Sequence, residues 1–271
     1  MNEVPEERAS GKLLLDRPAD AVARITIRNP SKRNALDHEI LDGIATLMEE
    51  LDDGISTRCV IITGSEGMFS AGYDIGDIPD EVFAEEAERL VAHPFSRAIE
   101  AVEAFPFPTL GAINGHALGG GLELALTCDL RIAAHGVKLG MPPAKLGLIY
   151  SHTGLQKFID AVGAARTREL FFTGRNVDAE RAEQIGLVHE VAEPDEVDGT
   201  AVSLAAEVAA NAPVSLRGNK EIINSLVRFP RLSEKDEQNV ISLRLSSFRT
   251  HDFREGVRAF AEKRKPNWEG R

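Results

Sequence analysis

Residues 111–123 read Gly111-Ala112-Ile113-Asn114-Gly115-His116-Ala117-Leu118-Gly119-Gly120-Gly121-Leu122-Glu123. The apolar run Thr109-Leu110-Gly111-Ala112-Ile113 passes through a turn into three consecutive glycines, and an Ala/Leu-rich stretch follows. Strand, turn and helix in that order predict one unit of an α/β fold. Glycines at a helix N-terminus leave backbone N–H groups open to close approach, which suits an oxyanion; the same glycines equally suit tight helix–strand packing. The spacing does not match the GxGxxG dinucleotide fingerprint, and a P-loop is excluded because no Gly-Lys-Ser/Thr follows. Glu123 falls in the first helical turn, as an acid/base or as a carboxylate favoured by the helix dipole.

Upstream, residues 21–28 alternate Ala23, Ile25 and Ile27 against Arg24, Thr26 and Arg28, the period of a half-buried strand that Asn29-Pro30 ends. Asp37 is placed to cap a helix whose Ile40, Leu41, Ile44, Leu47, Met48 and Leu51 share one face. Cys59-Val60-Ile61-Ile62 predicts a strand covered on both sides. An acidic helical stretch over 80–104, interrupted by Pro94 and closed by Phe105-Pro106-Phe107-Pro108, reads as a flap. Downstream come a strand near 130–133 and a Pro/Gly-rich loop over 140–147. From Pro194 the pattern is helical, with periodic segments at 195–210, 214–227, 234–248 and 252–264. This divides the chain into a core, 1–194, and a helical region, 195–271. No repeat of 20–50 residues is visible.

The 271 residues, 43% hydrophobic and 27% charged, fit one large globular domain. Against 31 basic residues stand 43 acidic ones, and a formal charge of -12 opposes a broad grip on nucleic acid or anionic lipid. Cys59 and Cys128 lie in apolar runs without a CxxC partner, disfavouring a disulfide framework and a zinc site. The first twenty residues lack a secretory signal pattern, and no apolar run is long enough to span a bilayer. The expectation is a soluble, cytoplasmic chain.

A second glycine-bearing loop, Phe69-Ser70-Ala71-Gly72-Tyr73-Asp74-Ile75, follows the Cys59–Ile62 strand closely, so its backbone can face the triple-glycine turn across the sheet ends. Together with Ser31-Lys32-Arg33-Asn34-Ala35-Leu36, Cys128-Asp129, Phe172-Thr173-Gly174, residues 182–188 and the terminal Ala261-Glu262-Lys263-Arg264-Lys265-Pro266, these segments resemble the crotonase, or enoyl-CoA hydratase/isomerase, superfamily over nearly the whole chain. The resemblance implies an α/β spiral of ββα units with a helical C-terminal trimerisation region. It also implies an acyl-CoA thioester as substrate, no separate cofactor, no metal, and a homotrimer or dimer of trimers.

By the same resemblance, the backbone N–H groups of Tyr73 and Gly120 form an oxyanion hole for a thioester enolate, and Glu123 is the first of two catalytic glutamates. The position of the second is occupied by Pro143, which transfers no proton. Efficient two-carboxylate hydration is therefore disfavoured, and the ionisable residues nearby are Lys145, Tyr150 and His152. The segment Met141–Tyr150 and the ending Lys263-Arg264-Lys265-Pro266-Asn267-Trp268 are also similar to methylmalonyl-CoA decarboxylase, whose active-site tyrosine aligns with Tyr150. Substrate contacts are implied for Lys32, Arg33, Ala35, Ala71, Asp74, Ile75, Gly119, Pro143, His152, Phe260 and Lys263, with Lys32, Arg33 and Lys263 meeting CoA phosphates. Asp74 also reads as a residue that holds its own loop, and His116 as one packed beneath the glycine turn. The function so implied is of the hydratase/isomerase class, with a malonyl-type CoA decarboxylase as the alternative. A non-catalytic RNA-binding role on the same fold would want a lysine-rich helix, found only at 261–266.

Overall fold

Continuous apolar runs become the centre of the main sheet. In the computed structural model, which describes residues 4–74, 91–146, 148–228 and 250–271 together with isolated residues between 235 and 242, every residue of β4 (Cys59–Gly64) and β6 (Thr109–Ile113) is buried. Their sheet also contains β1 (Glu6–Arg8), β2 (Leu13–Ala19), β3 (Val22–Ile27), β8 (Leu130–Ala134) and β11 (Glu190–Ala192), seven strands in the order β1-β2-β3-β4-β6-β8-β11. β1, β2 and β3 pair antiparallel; from β3 to β11 all neighbours are parallel.

A second sheet carries the site. β5 (Met68–Ser70), β7 (His116–Leu118) and β9 (Lys138–Gly140) are parallel neighbours, and β10 (Val177–Asp178) closes the edge antiparallel to β9. Three times, then, a strand of the large sheet is followed by a short strand of the small one: β4 to β5, β6 to β7, β8 to β9. The repeat that the sequence conceals exists as a hydrogen-bonding pattern.

Helix α1 (His38–Leu51) is capped as its sequence requires, with the Asp37 carboxylate accepting from Ile40 N–H at 2.9 Å and the apolar face from Ile40 to Leu51 buried. α2 (Ser96–Ala104) follows a π-helical turn holding Pro94. The earlier part of the expected flap, 80–90, lies outside the described residues. The triple glycine opens α3 (Gly120–Thr127). α4 (His152–Thr173) starts at Ser151, whose hydroxyl accepts from Gly154 N–H at 3.1 Å, and breaks its helical course at Gly163. After α5 (Ala179–Gln184) come α6 (Val197–Ala209), α7 (Pro213–Arg228) and α8 (His251–Glu262). α6 packs on β3, β4, β6 and β8, and its Val197, Ala201, Ala205 and Ala209 belong to the same core cluster as the sheet. Apart from isolated residues, the helix expected over 234–248 falls outside the described part. No helix among the described residues is long and apolar enough to cross a membrane.

One carboxylate joins the sheet to the C-terminal helices. Asp129 Oδ2 accepts from Thr109 N–H at 2.7 Å, from Thr109 Oγ1 at 3.0 Å and from the Lys220 ammonium at 2.8 Å, and Lys220 also donates to Phe107 O at 3.0 Å. Lys220 is buried. Asp129→Ala strips an almost enclosed ammonium and a strand-end N–H of their shared acceptor, so a loss of about 2–4 kcal/mol in unfolding free energy is expected by urea denaturation. A loss under about 0.5 kcal/mol would show that Asp129 is not a structural hub.

Candidate active site

The loop after β5 and the turn before α3 meet backbone to backbone. A Cβ at Gly72 would stand 2.8 Å from Leu118 O and 3.2 Å from Gly120 N, and Gly72 itself has φ +97°, a conformation that side chains disfavour. A Cβ at Gly120 would strike the Tyr73 ring at 2.5 Å, and one at Gly121 the Ser70 Cβ at 2.6 Å. The loop is clamped from its other side: Ala71 N–H donates to Arg33 O, Leu36 N–H to Gly72 O and Asp74 N–H to Leu36 O, at 2.8–3.0 Å. Neither Tyr73 N–H nor Gly120 N–H donates to a backbone carbonyl of another described residue.

Beside this junction lies a buried carboxylate. Glu123, 2% exposed, accepts a 2.5 Å hydrogen bond at Oε2 from the Tyr150 hydroxyl, and that hydroxyl lies 3.3 Å from the Tyr73 hydroxyl. Edge-on rings fix the two phenols: Tyr73 on Phe95 at 4.8 Å, Tyr150 on Phe171 at 5.5 Å between centroids. Helix α4 admits the carboxylate only because it carries glycine there, since a Cβ at Gly154 would sit 3.0 Å from both Glu123 oxygens and 2.6 Å from Tyr150 Cε1. A cavity of about 610 Å³ opens onto Glu123, walled by Phe95, Ile99 and Glu103 of the α2 side and by His152 and Lys157 of α4.

Burial sets the protonation of this group. It raises the Glu123 carboxyl above its ordinary value, against the Tyr150 hydrogen bond and the Lys157 charge, while Glu103 pushes with it. The Tyr73 and Tyr150 phenols are also raised, by burial first and then by neighbouring charge, so at neutral pH both are neutral hydrogen-bond donors.

The family model described as Enoyl-CoA hydratase/isomerase matches residues 17–271. The chain belongs to that family. Among its relatives, a short-chain-enoyl-CoA hydratase of Clostridium acetobutylicum is 33% identical, covering 90% of this chain and 92% of its own. Among solved structures, an enoyl-CoA hydratase of Bacillus anthracis superposes with a TM-score of 0.88 at 30% identity, covering 96% of this chain and all (100%) of that one. DspI of Pseudomonas aeruginosa gives 0.85 at 35% identity, covering 95% and 97%. The crotonase fold expected from the two glycine loops is thus the fold of the chain.

Within this family member, the expected site residues fall into two groups. Tyr73, Gly119, Gly120, Glu123, Tyr150 and His152 gather at the junction and cavity. Pro143 is buried at the start of a 3₁₀ turn, where Pro143 O accepts from Leu148 N–H at 2.9 Å. Ala35 is buried and Ala71 half-buried on the clamp. Lys32, expected to meet phosphate, pairs with Asp74 at 2.8 Å, so the Asp74 carboxylate ties its loop to residues 30–33 by an ion pair. Arg33 is exposed, with φ +55°. Lys263 is exposed just beyond the end of α8 and so does not sit on that helix with Phe260. Ile75 and the side chain of Phe260 lie outside the described residues. His116 is exposed, not packed beneath the turn, and its Nδ1 accepts from Lys138 N–H at 3.0 Å.

Three residues at the site escaped the sequence reading: Gly154, Lys157 and Glu103. The first two stand at i and i+3 in the helix directly after Tyr150, a spacing that puts them on one face and was readable. Glu103 had no such signal, since it meets Lys157 from 54 positions away.

A carboxyl raised in the folded state stabilises that state while protonated; the contribution is complete below the ordinary 4.5 and lost as pH rises through the folded midpoint. Glu123→Gln therefore raises the melting temperature at pH 8, and the gain shrinks as pH falls toward 4.5. Melting curves from pH 4.5 to 8 check this; a gain that grows toward acid would contradict the burial argument.

Proposed function

We propose that this chain is an acyl-CoA enzyme of the hydratase/isomerase class that stabilises a thioester enolate at the Tyr73 and Gly120 N–H groups and moves protons with Glu123 as its one carboxylate acid/base. The reading rests on the Tyr150–Glu123 hydrogen bond of 2.5 Å at the cavity wall, beside two N–H groups left over by the loop junction. A thioester enolate concentrates charge on its oxygen, and each fixed donor there contributes about 2.7–4 kcal/mol to the transition state. With Pro143 where the resemblance places the second glutamate, the chemistry best matched is a proton shift, in which Glu123 takes a proton from one carbon and returns it to another. CoA is then part of the substrate, and the exposed Ile223, Leu226 and Val227 on α7 support assembly into a trimer or dimer of trimers.

The same residues favour a second reading, decarboxylation of a malonyl-type CoA thioester. Loss of CO₂ leaves the same enolate without a base to generate it, and the Tyr150–Glu123 pair can deliver the one proton that the α-carbon then needs. Burial of Glu123 helps, because its protonated form does not repel the departing carboxylate.

Purified protein given 3-enoyl-CoA, crotonyl-CoA and methylmalonyl-CoA separately decides between them by chromatographic separation and mass analysis of the thioesters, the separation being needed because an isomer has the mass of its substrate. Isomer or hydrated product is expected. Mass loss of CO₂ with neither of these would replace the first reading by the second, and inertness toward all three would remove both. On the active substrate, Glu123→Gln lowers kcat by about 10²–10⁴-fold, whereas Tyr73→Phe keeps kcat within about tenfold because the proposed hole uses backbone. A Tyr73→Phe loss as deep as that of Glu123→Gln would assign the phenol, not the N–H, to the chemistry.

A further inference from the structure

Lys157 is mostly buried and makes a close ion pair with Glu103 of α2 across the cavity from α4. Gly154, one turn earlier on the same face, is the position that admits the Glu123 oxygens at 3.0 Å. The pair is thus built beside the carboxylate on both walls that enclose it. Taking the Lys157 ammonium this far from water costs desolvation and side-chain entropy, although its partner Glu103 stays a third exposed, and as a link between two helices an apolar contact would serve as well. Resting on the role given to Glu123 above, we propose that Lys157 and Glu103 are a positioning pair for that residue, Lys157 the cation that steadies its anionic form and Glu103 the counter-charge that limits the effect.

Among the described residues, the Tyr73 and Tyr150 phenols stand beside Glu123, and the titratable groups that line its cavity are His152, Lys157 and Asp160 from α4 and Glu100 and Glu103 from α2. Among them Lys157 lowers the proton affinity of Glu123 and Glu103 raises it, so the two members of one ion pair act in opposite senses. A clamp too distant or too screened to act on Glu123 would leave its midpoint unmoved whichever partner is removed.

The test is direct titration of the Glu123 carboxyl by ¹³C NMR in glutamate-labelled full chain, the resonance being assigned by its disappearance in Glu123→Gln. It needs no substrate, so its failure leaves the proposed reaction standing, and failure of that reaction leaves the titration result intact. Lys157→Met is expected to move the midpoint up and Glu103→Gln to move it down, each by about half a pH unit or more, while Lys157→Arg stays near the parent. Unmoved midpoints, or shifts in the same direction for both, overturn the proposal. Should Lys157→Met fail to fold, Glu103→Gln decides alone, a downward shift supporting the pair and any other result sinking it.

Discussion

The site depends on two segments of backbone being allowed to touch. At Gly72, Gly120 and Gly121 the loop after β5 and the turn into α3 approach so closely that a single added methyl would overlap a carbonyl, a ring or a side-chain carbon at 2.5–2.8 Å. Packing density in a protein interior leaves no slack to absorb that. Because the approach is made by main chain, the small sheet can be very short: β5, β7 and β9 have three residues each. They need only carry the chain from the buried edge of the large sheet to the junction. The clamp of residues 33–36 on 71–74 then holds the Tyr73 amide in place without using it.

Around that junction the electrostatics are a compromise. Glu123 is removed from water, and an ionised carboxylate so placed loses hydration that one hydrogen bond does not replace. Tyr150 returns part of it through a short charge-assisted bond, and the Lys157 charge returns more. The result is a carboxyl whose proton affinity burial raises and the Tyr150 bond and Lys157 charge draw back, the kind of opposition by which a protein tunes an acid/base. A fully solvated glutamate would release protons too readily, and an unsupported buried one would never ionise.

Legibility in the sequence followed the range of the interactions. Helix α1 was readable because its cap and its apolar face are local, and β4 and β6 because uninterrupted apolar runs mark strands buried on both sides. The first strands, β1 and β2, were passed over: Leu13-Leu14-Leu15 is too short a run to declare itself, and it pairs with β3 only through register. Three-residue strands such as β7 show no period at all. For the same reason the ββα repetition left no trace as a sequence repeat, since what recurs is strand pairing. At the site, glycine spacing exposed the backbone junction, but the meeting of Tyr73, Tyr150 and Glu123 joins three separate segments and rested on resemblance. The Lys32–Asp74 pair likewise joins segments 42 positions apart, which no local pattern announces.

Pro143 is the departure from the family pattern that gives the site its character. Its ring is buried at the head of a 3₁₀ turn, and its missing N–H suits that first position, so the loop has a structural use for proline where the resemblance calls for a carboxylate. In the proposed reading the chemistry passes to what the same loop delivers seven residues later, the Tyr150 phenol that donates to Glu123. A phenol cannot replace a carboxylate as a base, because burial drives its own ionisation far above neutral pH. It can orient Glu123, share a proton with it and donate to an anion. Such a pair is suited to placing one proton on an enolate carbon, a step common to a proton shift and to the aftermath of CO₂ loss, and poorly suited to activating water on one face while a second acid works on the other. In the proposed reading the reactions differ by the number of positioned carboxylates that each requires, and Glu123, the carboxylate that meets the Tyr150 phenol among the described residues, suits those that need only one.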